Sequence, residues 1–440
     1  MEEAQRLATL AVRRVLEGAT LPVALAAVAV PPAADAPAGP DPGRRRALVQ
    51  ELAYGTLRHW GTLAALTARL AAKPFSDAEL HALVAVALYQ LDHTRAPPFA
   101  VVDHAVNVAA RIARPAAKSL VNALLRRYLR EREALHAAVG ADPVARWSYP
   151  QWWIDRVRAD YPADWEAILA AGNERPPLAL RVNARTTTRD AFLAACAAAE
   201  IGAVPAGDAG VIVDPPRPVT DLPGYREGWF AVQDPGAQLA APLLQLRPGV
   251  RVLDACAAPG GKTAHLAEFA DVEVVALDSE PARLARLREN LSRLQLASSR
   301  VRVIAGDAGA PAAWWDGRAF DRILVDVPCT ASGVVRRHPD GKWLRREGDI
   351  ANCARQQARI LDALWPCLAP GGLFLYATCS VFRAENDAQI EAFQARHADA
   401  LRESVTFPAA VVHQGGQLLP SLPGAAHNQD GFFYALLRKG

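Results

Sequence analysis

Residues 251–263, Arg-Val-Leu-Asp-Ala-Cys-Ala-Ala-Pro-Gly-Gly-Lys-Thr, decide the fold of the C-terminal part of this 440-residue chain. An apolar run ends at Asp254, a glycine-rich turn follows, and helical spacing begins at Lys262. A strand, a tight turn and a helix in this order are typical of the first unit of a parallel α/β sheet. Such sheets bind ligands beyond the carboxyl ends of their strands. We therefore expect a ligand at this turn.

The alternation of strands and helices continues from here to the end of the chain. Apolar runs predict further strands at 272–278, 301–305, 320–327 and 371–378, with helices at 262–269, 282–294 and 348–368. Strands that alternate with helices form a parallel sheet with helices on both faces. Residues 234–440 are therefore predicted to be an α/β domain, which a strand at 432–437 completes.

The first 140 residues show helical periodicity alone. Apolar residues recur at helical spacing in 3–17, 45–70, 76–91, 100–113 and 116–136, whereas the Ala/Pro-rich stretch 31–43 is typical of a loop. Residues 1–140 are therefore predicted to be an all-α bundle.

Residues 141–233 are predicted to be a small α+β module. Strand patterns at 178–183, 211–213 and 228–233 accompany a helical pattern at 189–201. An aromatic cluster precedes them, and core packing is favoured over stacking on RNA bases for its members. These aromatic residues are Trp147, Trp152, Trp153, Tyr161 and Trp165.

Composition indicates a globular protein of a reducing compartment. The chain is 51% hydrophobic and 22% charged, and its six cysteines form neither a CxxC pair nor a cluster with zinc spacing. The acidic start is unlike a signal peptide, and residues 21–34 are too short for a membrane span, so we expect a cytoplasmic monomer without metal. Residues 1–150 hold 18 Lys/Arg against 13 Asp/Glu, which indicates an anionic partner such as nucleic acid as readily as a solvated helical surface.

The turn is suited to a ligand that contains a nucleoside but no triphosphate. It lacks the first glycine of a P-loop and the GxGxxG pattern of dinucleotide sites. Asp278 ends the second strand, where a carboxylate can accept hydrogen bonds from a ribose, although a helix N-cap there is the alternative. Asp307, just past the third strand, is placed for the amine of an adenine. S-adenosyl-L-methionine is the predicted cofactor.

Two cysteines follow neighbouring predicted strands. Cys329 lies in Asp326-Val-Pro-Cys329 and Cys379 in Thr378-Cys-Ser380, each after an apolar run. Carboxyl ends of parallel strands share one edge, so both thiols are expected in the crevice that holds the turn. A thiol is a strong nucleophile near neutral pH, which indicates covalent chemistry on the substrate.

These motifs resemble those of the RNA cytosine-C5 methyltransferases, in particular the enzymes that act on bacterial 16S ribosomal RNA. The resemblance rests on the turn, on both cysteine segments, and on stretches along nearly the whole chain. They are Tyr54-Gly-Thr-Leu-Arg58, Val121-Asn-Ala-Leu-Leu-Arg-Arg127, Leu180-Arg-Val-Asn183, Val232-Gln-Asp-Pro235, Arg336-Arg-His-Pro339, Glu385-Asn386 and Asp430-Gly-Phe-Phe-Tyr434. It implies a NusB-like RNA-binding bundle, a ferredoxin- or RRM-like module and a Rossmann-like methyltransferase domain that uses S-adenosyl-L-methionine.

The resemblance also implies roles for site residues. Cys379 would be the nucleophile that adds to cytosine C6, and Cys329 would assist proton removal and product release. Asp326 would hydrogen-bond the cytosine or orient the methyl donor, and Lys262 would favour the thiolate. The cofactor turn would comprise Cys256, Ala257, Ala258, Pro259, Gly260, Gly261 and Lys262.

The basic loop of Arg336, Arg337, His338 and Lys342 is expected to bind phosphate, with a solvated charge run as the alternative.

The same motifs leave other functions open. Transfer RNA is the alternative substrate, and a non-catalytic NusB-like antitermination factor is the alternative class of protein. DNA is disfavoured because Thr330 follows Cys329 where DNA enzymes have glutamine.

Overall fold

The computed structural model describes residues 1–28, 42–112, 117–422, 424–425 and 427–440. They form two compact units, of which the first comprises 1–173 and 335–345, and the second 174–334 and 346–440. Most of the loop predicted at 31–43 lies outside the described residues, and its last two residues begin a helix. Among the described helices, none combines the length and apolarity needed to cross a membrane.

The first unit is a bundle of helices around a buried central one. Every residue from Ala82 to Leu91 in α5 is buried, so this helix is surrounded by its neighbours on all sides. The helices are α1 Glu2–Leu16, α2 Leu21–Val28, α3 Pro42–Arg58, α4 Trp60–Leu70, α5 Ala78–His93, α6 Pro98–Ile112, α7 Ala117–Val139, α8 Pro143–Trp147, α9 Gln151–Asp160 and α10 Trp165–Asn173.

The aromatic cluster belongs to this first unit and lies on α8, α9 and α10. Trp153 and Tyr161 are buried, and Trp147 packs edge-on against Trp165 at 5.5 Å between ring centroids. Core packing is therefore the role of these rings, as favoured from the sequence.

In the second unit, four antiparallel strands form a small sheet in the order β2-β3-β1-β4. Phe192 on the helix packs on Phe230 of the sheet, with ring centroids 5.3 Å apart. The elements are β1 Leu178–Val182, α11 Arg189–Ala198, β2 Ala203–Ala206, β3 Gly210–Val213 and β4 Phe230–Val232. The sequence missed β2, since this edge strand exposes Val204 and Pro205 and has no apolar run.

The large sheet has the order β11-β12-β13-β9-β8-β5-β6-β7, with β10 paired to β13. Strands β5 to β9 are parallel and β13 runs antiparallel beside β9. The strands are β5 Arg251–Ala255, β6 Glu273–Asp278, β7 Val301–Ala305, β8 Phe320–Asp326, β9 Leu368–Thr378, β10 Ala400–Glu403, β11 His413–Gln414, β12 Gln417–Leu418 and β13 Phe432–Lys439. The helices of this part are α12 Ala240–Leu243, α13 Gly261–Phe269, α14 Pro281–Arg293, α16 Gly348–Leu364 and α17 Asp387–Arg396, whereas α15 Gly341–Leu344 belongs to the first unit. The predicted multidomain architecture is confirmed.

The basic loop after Cys329 does not have the predicted role at two of its positions. Residues 335–345 pack into the first unit, where Arg336 is buried and Lys342 is fully buried. The Lys342 ammonium donates to the Arg58 carbonyl and to Asn173 Oδ1, each at 2.7 Å, and lies 4.2 Å from the Tyr149 ring centroid. Burial lowers the pKa of Lys342 well below its usual value. The prediction that these two residues grip phosphate was wrong.

The same segment explains why one predicted helix is two. The pattern at 45–70 is continuous, but the structure ends α3 at Arg58 and begins α4 at Trp60. The last carbonyl groups of a helix have no partner inside it. Here the Leu57 carbonyl accepts from Trp343 Nε1 at 2.8 Å, and that of Arg58 accepts from Lys342. Donors almost 300 residues away thus stabilise the break.

A buried ion pair fastens β1 to α13 inside the second unit. Arg181 is fully buried and its guanidinium binds the Glu268 carboxylate with two hydrogen bonds of 2.8 and 2.6 Å. Arg181 also donates to Gln233 Oε1 and, at 3.0 Å, to the Gly261 carbonyl at the start of α13. Arg181 on the small sheet is therefore hydrogen-bonded directly to the glycine-rich turn.

Removal of this arginine should strongly destabilise the second unit. We expect Arg181→Met to lower the free energy of unfolding by about 3–5 kcal/mol, because the Glu268 carboxylate would stay buried without its counter-ion. The measurement is urea unfolding of the full chain followed by circular dichroism.

The surface pair Arg185–Asp271 is the matched control, since its side chains are 40% and 59% exposed and 2.9 Å apart. Asp271→Asn should change the free energy by about 1 kcal/mol or less. The double variant Arg181→Met, Glu268→Met should recover much of the loss. A loss as small as that of the surface control would contradict the role of the buried pair.

Candidate active site

The glycine-rich turn lies where β5 leaves the sheet and α13 begins. Cys256 has a φ of 61° and Gly260 a φ of 98°, both in the left-handed region. A Cβ on Gly260 would lie 2.8 Å from Leu287 Cγ, so both backbone conformation and packing require glycine there. The Ala258 amide donates to Asp278 Oδ2 at 3.0 Å, which fastens the turn to the end of β6.

The second glycine of the turn has space beside it. A Cβ on Gly261 would come no nearer than 3.9 Å to any described atom outside its own neighbourhood, and that atom is Gln233 Nε2. Packing within the described protein therefore does not demand glycine at this position. The backbone stays open to close approach by a ligand.

Asp278 and Asp307 lie after the next two strands, as the sequence indicated. Asp278 is buried; besides the Ala258 amide it accepts from the Glu280 amide at 3.1 Å and lies 3.7 Å from Arg283. Glu280, rather than Asp278, is the N-cap residue of α14. Asp307 receives two hydrogen bonds of 2.8 and 3.0 Å from Arg359, which hold the pKa of its carboxyl below the usual value. Arg359 had no role in the sequence interpretation.

Lys262 and Asp326 form an ion pair at the same edge of the sheet. Lys262 Nζ lies 2.6 Å from Asp326 Oδ2 and 5.4 Å from the centroid of the Phe432 ring. Burial by itself lowers the pKa of Lys262, but the charge of Asp326 and its hydrogen bond outweigh it, with a smaller contribution from Cys379. The pKa is raised overall, so the ammonium keeps its proton.

The two predicted thiols are neighbours. β8 and β9 pair in parallel with Asp326 opposite Ala377, and each cysteine follows a few residues later. Their sulfur atoms are 3.4 Å apart, and both side chains are partly exposed. The contact with Cys379, burial and nearby negative charge raise the pKa of Cys329 well above its usual value. Cys329 therefore holds its proton at neutral pH, and the two sulfur atoms are within hydrogen-bonding distance of each other.

Segments from the C-terminus complete this edge. The Gly333 amide donates to the Cys379 carbonyl at 2.8 Å, and the Gly431 amide donates to the Gly333 carbonyl at 2.9 Å. A Cβ on Gly333 would lie 2.2 Å from the Gly431 carbonyl oxygen, so the two chains approach as closely as glycines allow. The Asp430 amide donates to Asp234 Oδ1 at 3.1 Å. Stretches that are far apart in the sequence thus meet beside the thiols.

The remaining cysteines differ from this pair. Cys196 and Cys367 are buried, whereas Cys353 on α16 is half-buried. In the turn, burial and neighbouring carboxylates raise the pKa of Cys256 to about 12, so its sulfur is not ionised at neutral pH. Among the described residues, no group of three or more His, Cys, Asp or Glu side chains could hold a metal ion.

Glu385 is a further residue whose role the sequence did not indicate. It was quoted only as part of a motif after Cys379. In the structure its side chain is fully buried and contacts the residues that follow both cysteines. No local pattern could have found it, because its partners come from three separate elements.

Comparisons with known proteins identify the family of this chain. Residues 241–438 match the family model described as 16S rRNA methyltransferase RsmB/F, residues 149–220 match the ferredoxin-like domain of RsmF/B-like methyltransferases, and residues 4–130 match the NusB family. The chain is similar to ribosomal RNA small subunit methyltransferase B of Pseudomonas putida, with 48% identity over 90% of this chain and 91% of the relative. The protein of that name from Vibrio cholerae is 43% identical over 90% of each chain.

Solved structures share the fold. The crystal structure of PH0851 covers 100% of this chain and 99% of its own, with a TM-score of 0.79 and 22% identity. A methyltransferase homolog protein from Pyrococcus horikoshii covers 68% of this chain and 98% of its own, with a TM-score of 0.56 and 26% identity. Identity over nine tenths of the chain and the three matched domains lead to one assignment: the chain belongs to the RsmB/F family and is a ribosomal RNA methyltransferase.

Proposed function

We propose that this protein transfers a methyl group from S-adenosyl-L-methionine to C5 of one cytosine in 16S ribosomal RNA, through a covalent bond between Cys379 and C6 of the base. The observation that carries the proposal is the 3.4 Å separation of the Cys329 and Cys379 sulfur atoms beside the Lys262–Asp326 pair. The three domains are proposed to span 1–140, 141–233 and 234–440.

Residues of the turn fit the proposed cofactor. Asp278 would hold the ribose, Asp307 the adenine amine, and the backbone of 256–261 would line the nucleoside and the methionine moiety. The open space at Gly261 supports this assignment, since no described side chain occupies it. When bound, S-adenosyl-L-methionine supplies an electrophilic methyl group on its sulfonium sulfur.

The two thiols would act on neighbouring carbons of the base, Cys379 on C6 and Cys329 on the proton at C5. Cytosine C5 is a poor nucleophile, and addition of the Cys379 thiolate to C6 makes it an enamine carbon that can accept a methyl group. The C5 proton must then leave before the bond from Cys379 breaks. Because the pKa of Cys329 is raised, its own proton would first have to pass to the ring nitrogen or to solvent. The Cys329 thiolate would then take the C5 proton, and the electrons of the C5–H bond would restore the C5–C6 double bond and expel Cys379 as a thiolate.

The ion pair at the edge of the sheet would support both steps. The Lys262 ammonium is charged and close enough for Cys379 to affect its pKa, so it would in turn favour the Cys379 thiolate. Asp326 keeps its side chain 31% exposed and would accept a hydrogen bond from the target cytosine or orient the methyl donor. The target base would have to leave the RNA stack to reach these groups.

Ribosomal RNA is preferred to transfer RNA as substrate. The similar bacterial proteins carry the name ribosomal RNA small subunit methyltransferase B, and no feature of the site distinguishes a transfer RNA. The family assignment also favours an enzyme over a non-catalytic RNA-binding factor.

Substitution at the open glycine should separate cofactor binding from folding. Gly261→Ala should weaken the binding of S-adenosyl-L-methionine about tenfold or more, equivalent to ~1.4 kcal/mol, because the new methyl group would occupy ligand space. The melting temperature should not fall, since the residue opens a helix and the Cβ meets no described atom. Isothermal titration calorimetry measures the affinity.

Gly348→Ala is the matched control, because Gly348 also opens a helix and has nothing within 4 Å of an added Cβ. It should bind the cofactor as the wild type does. Wild-type affinity in Gly261→Ala would show that this backbone does not line the cofactor.

The substrate and the nucleophile can be tested together in cells. In a strain that lacks the gene, bisulfite sequencing should reveal the loss of one 5-methylcytosine in 16S ribosomal RNA. Wild-type protein should restore it, whereas Cys379→Ala should not, although purified Cys379→Ala should still bind S-adenosyl-L-methionine. Loss of a mark in transfer RNA instead would replace the substrate, and restoration by Cys379→Ala would remove the nucleophile assignment.

The Cys329 thiol should be needed for release of the methylated RNA rather than for attack on cytosine C6. Cys329→Ala should accumulate protein bound covalently to RNA, visible as a slower band on a denaturing gel, because the C5 proton has no acceptor after methylation. The double variant Cys329→Ala, Cys379→Ala and the buried control Cys196→Ala should show no such band. A Cys329→Ala variant that turns over without an adduct would exclude the release role.

A further inference from the structure

Glu385 lies at the end of a short 3-10 turn, Arg383–Glu385, between the strand that precedes Cys379 and helix α17. Its side chain is fully buried, and Asn386 beside it is also buried. A carboxylate in such a position is unfavourable unless hydrogen bonds compensate its lost hydration. The partners of Glu385 therefore indicate what the residue is for.

Both oxygens of this carboxylate accept hydrogen bonds. Oε1 accepts from the Thr330 amide at 2.9 Å and from Gln357 Nε2 at 3.2 Å. Oε2 accepts from the Thr330 hydroxyl at 2.5 Å and from the Ser380 hydroxyl at 2.6 Å. Burial raises the pKa of Glu385, and the four hydrogen bonds oppose that shift.

The donors are the residues next to the two thiols. Thr330 directly follows Cys329, and Ser380 directly follows Cys379. Ser332 Oγ joins the same cluster 2.9 Å from Ser380 Oγ and accepts from the Val381 amide at 2.9 Å. One carboxylate thus ties together the two loops that carry Cys329 and Cys379.

Asn386 holds Cys379 from both sides. Its Oδ1 accepts from the Thr378 hydroxyl at 2.6 Å, and its Nδ2 donates to the Ser380 carbonyl at 2.9 Å. Thr378 and Ser380 are the residues before and after Cys379. Asn386 therefore orients one loop, whereas Glu385 reaches both.

We propose that Glu385 is a positioning residue that sets the separation of the Cys329 and Cys379 sulfur atoms through Thr330 and Ser380. The proposal rests on the proposed function, because that separation matters if one thiol attacks C6 and the other serves C5 of the same ring. C5 and C6 are bonded neighbours, so the two sulfur atoms have to stay close while they act from different loops. A carboxylate suits this place since it only accepts, and the Thr330 amide and Gln357 side-chain amide can only donate there.

Two substitutions at Glu385 remove part or all of its hydrogen-bond acceptors and should slow methyl transfer to different extents. Glu385→Gln keeps one carbonyl oxygen and should lower the rate of methyl transfer about tenfold, since one charge-assisted acceptor is lost. Glu385→Leu removes every acceptor, and a displacement of about 1 Å at the thiols should lower the rate about 100-fold. The affinity for S-adenosyl-L-methionine should stay unchanged in both, because Glu385 has no contact with the turn at 256–261.

Phe393→Leu is the control for stability. Phe393 lies on α17, is fully buried and packs on Trp365 at 5.3 Å between ring centroids, away from the thiols. It should lower the melting temperature without slowing methyl transfer at a temperature where the protein is folded. A loss of activity confined to the Glu385 variants would therefore come from position rather than stability.

Two readouts distinguish this proposal from the proposed function. The first is covalent adduct formation on 16S RNA that contains 5-fluorocytosine. This base has no C5 proton to lose, so the adduct is trapped after methylation, and attack with methyl transfer is measured without the release step. The wild type should form the adduct, Glu385→Leu should form it more slowly, and Phe393→Leu should equal the wild type. The second is alkylation of the free enzyme by iodoacetamide, followed by mass spectrometry. Cys329 and Cys379 should react faster in Glu385→Leu because their loops are released, whereas Cys256 should not change.

Wild-type rates of adduct formation and alkylation in Glu385→Leu would overturn the proposal. If the wild type itself forms no adduct and no 5-methylcytosine, the proposed function fails. The alkylation rates then still decide whether Glu385 holds the two thiols in place.

Discussion

The parallel pairing of β8 with β9 is the constraint on which the rest of the site depends. Because Asp326 lies opposite Ala377, the chain leaves both strands at the same level of the sheet. Cys329 and Cys379 then have only a few residues in which to diverge, and their sulfur atoms end 3.4 Å apart. A change of register by one residue would turn the end of one strand to the other face of the sheet.

The other half of the site depends on how β5 meets β6. The turn after β5 takes backbone conformations that are unfavourable without support, and the Asp278 carboxylate supplies it through the Ala258 amide. The residue proposed to hold a ribose is thus also the one that shapes the turn. One carboxylate can serve both purposes, because it accepts hydrogen bonds at several positions and the buried strand β6 fixes the direction of the side chain. It also means that Asp278 has a structural role before any ligand binds.

Sequence patterns were sufficient where the determinants are local. The alternating strands and helices of the α/β domain, the turn and both cysteines follow from periodicity and from short motifs, and the structure places the turn and the cysteines at one edge of the sheet. The break at His59 and the burial of Lys342 do not follow, because each depends on partners that are remote in the sequence. The edge strand β2 does not follow because it has no apolar run. A lysine five residues after two adjacent arginines has the pattern of a solvated or phosphate-binding loop. Only the fold shows that Arg58, Asn173 and Tyr149 surround its ammonium.

Buried polar groups serve different ends in the second unit. The Arg181–Glu268 pair connects the small sheet to helix α13, and its charges compensate each other where both side chains are buried. The hydrogen bonds of Glu385 among the described residues come from four neutral donors and none from a basic side chain, which is a weaker form of compensation. An apolar side chain of similar size would avoid this desolvation, but it would leave the donors of Thr330, Gln357 and Ser380 without their acceptor. The carboxylate accepts from all of them, and its Oε2 alone accepts from the residues next to both thiols.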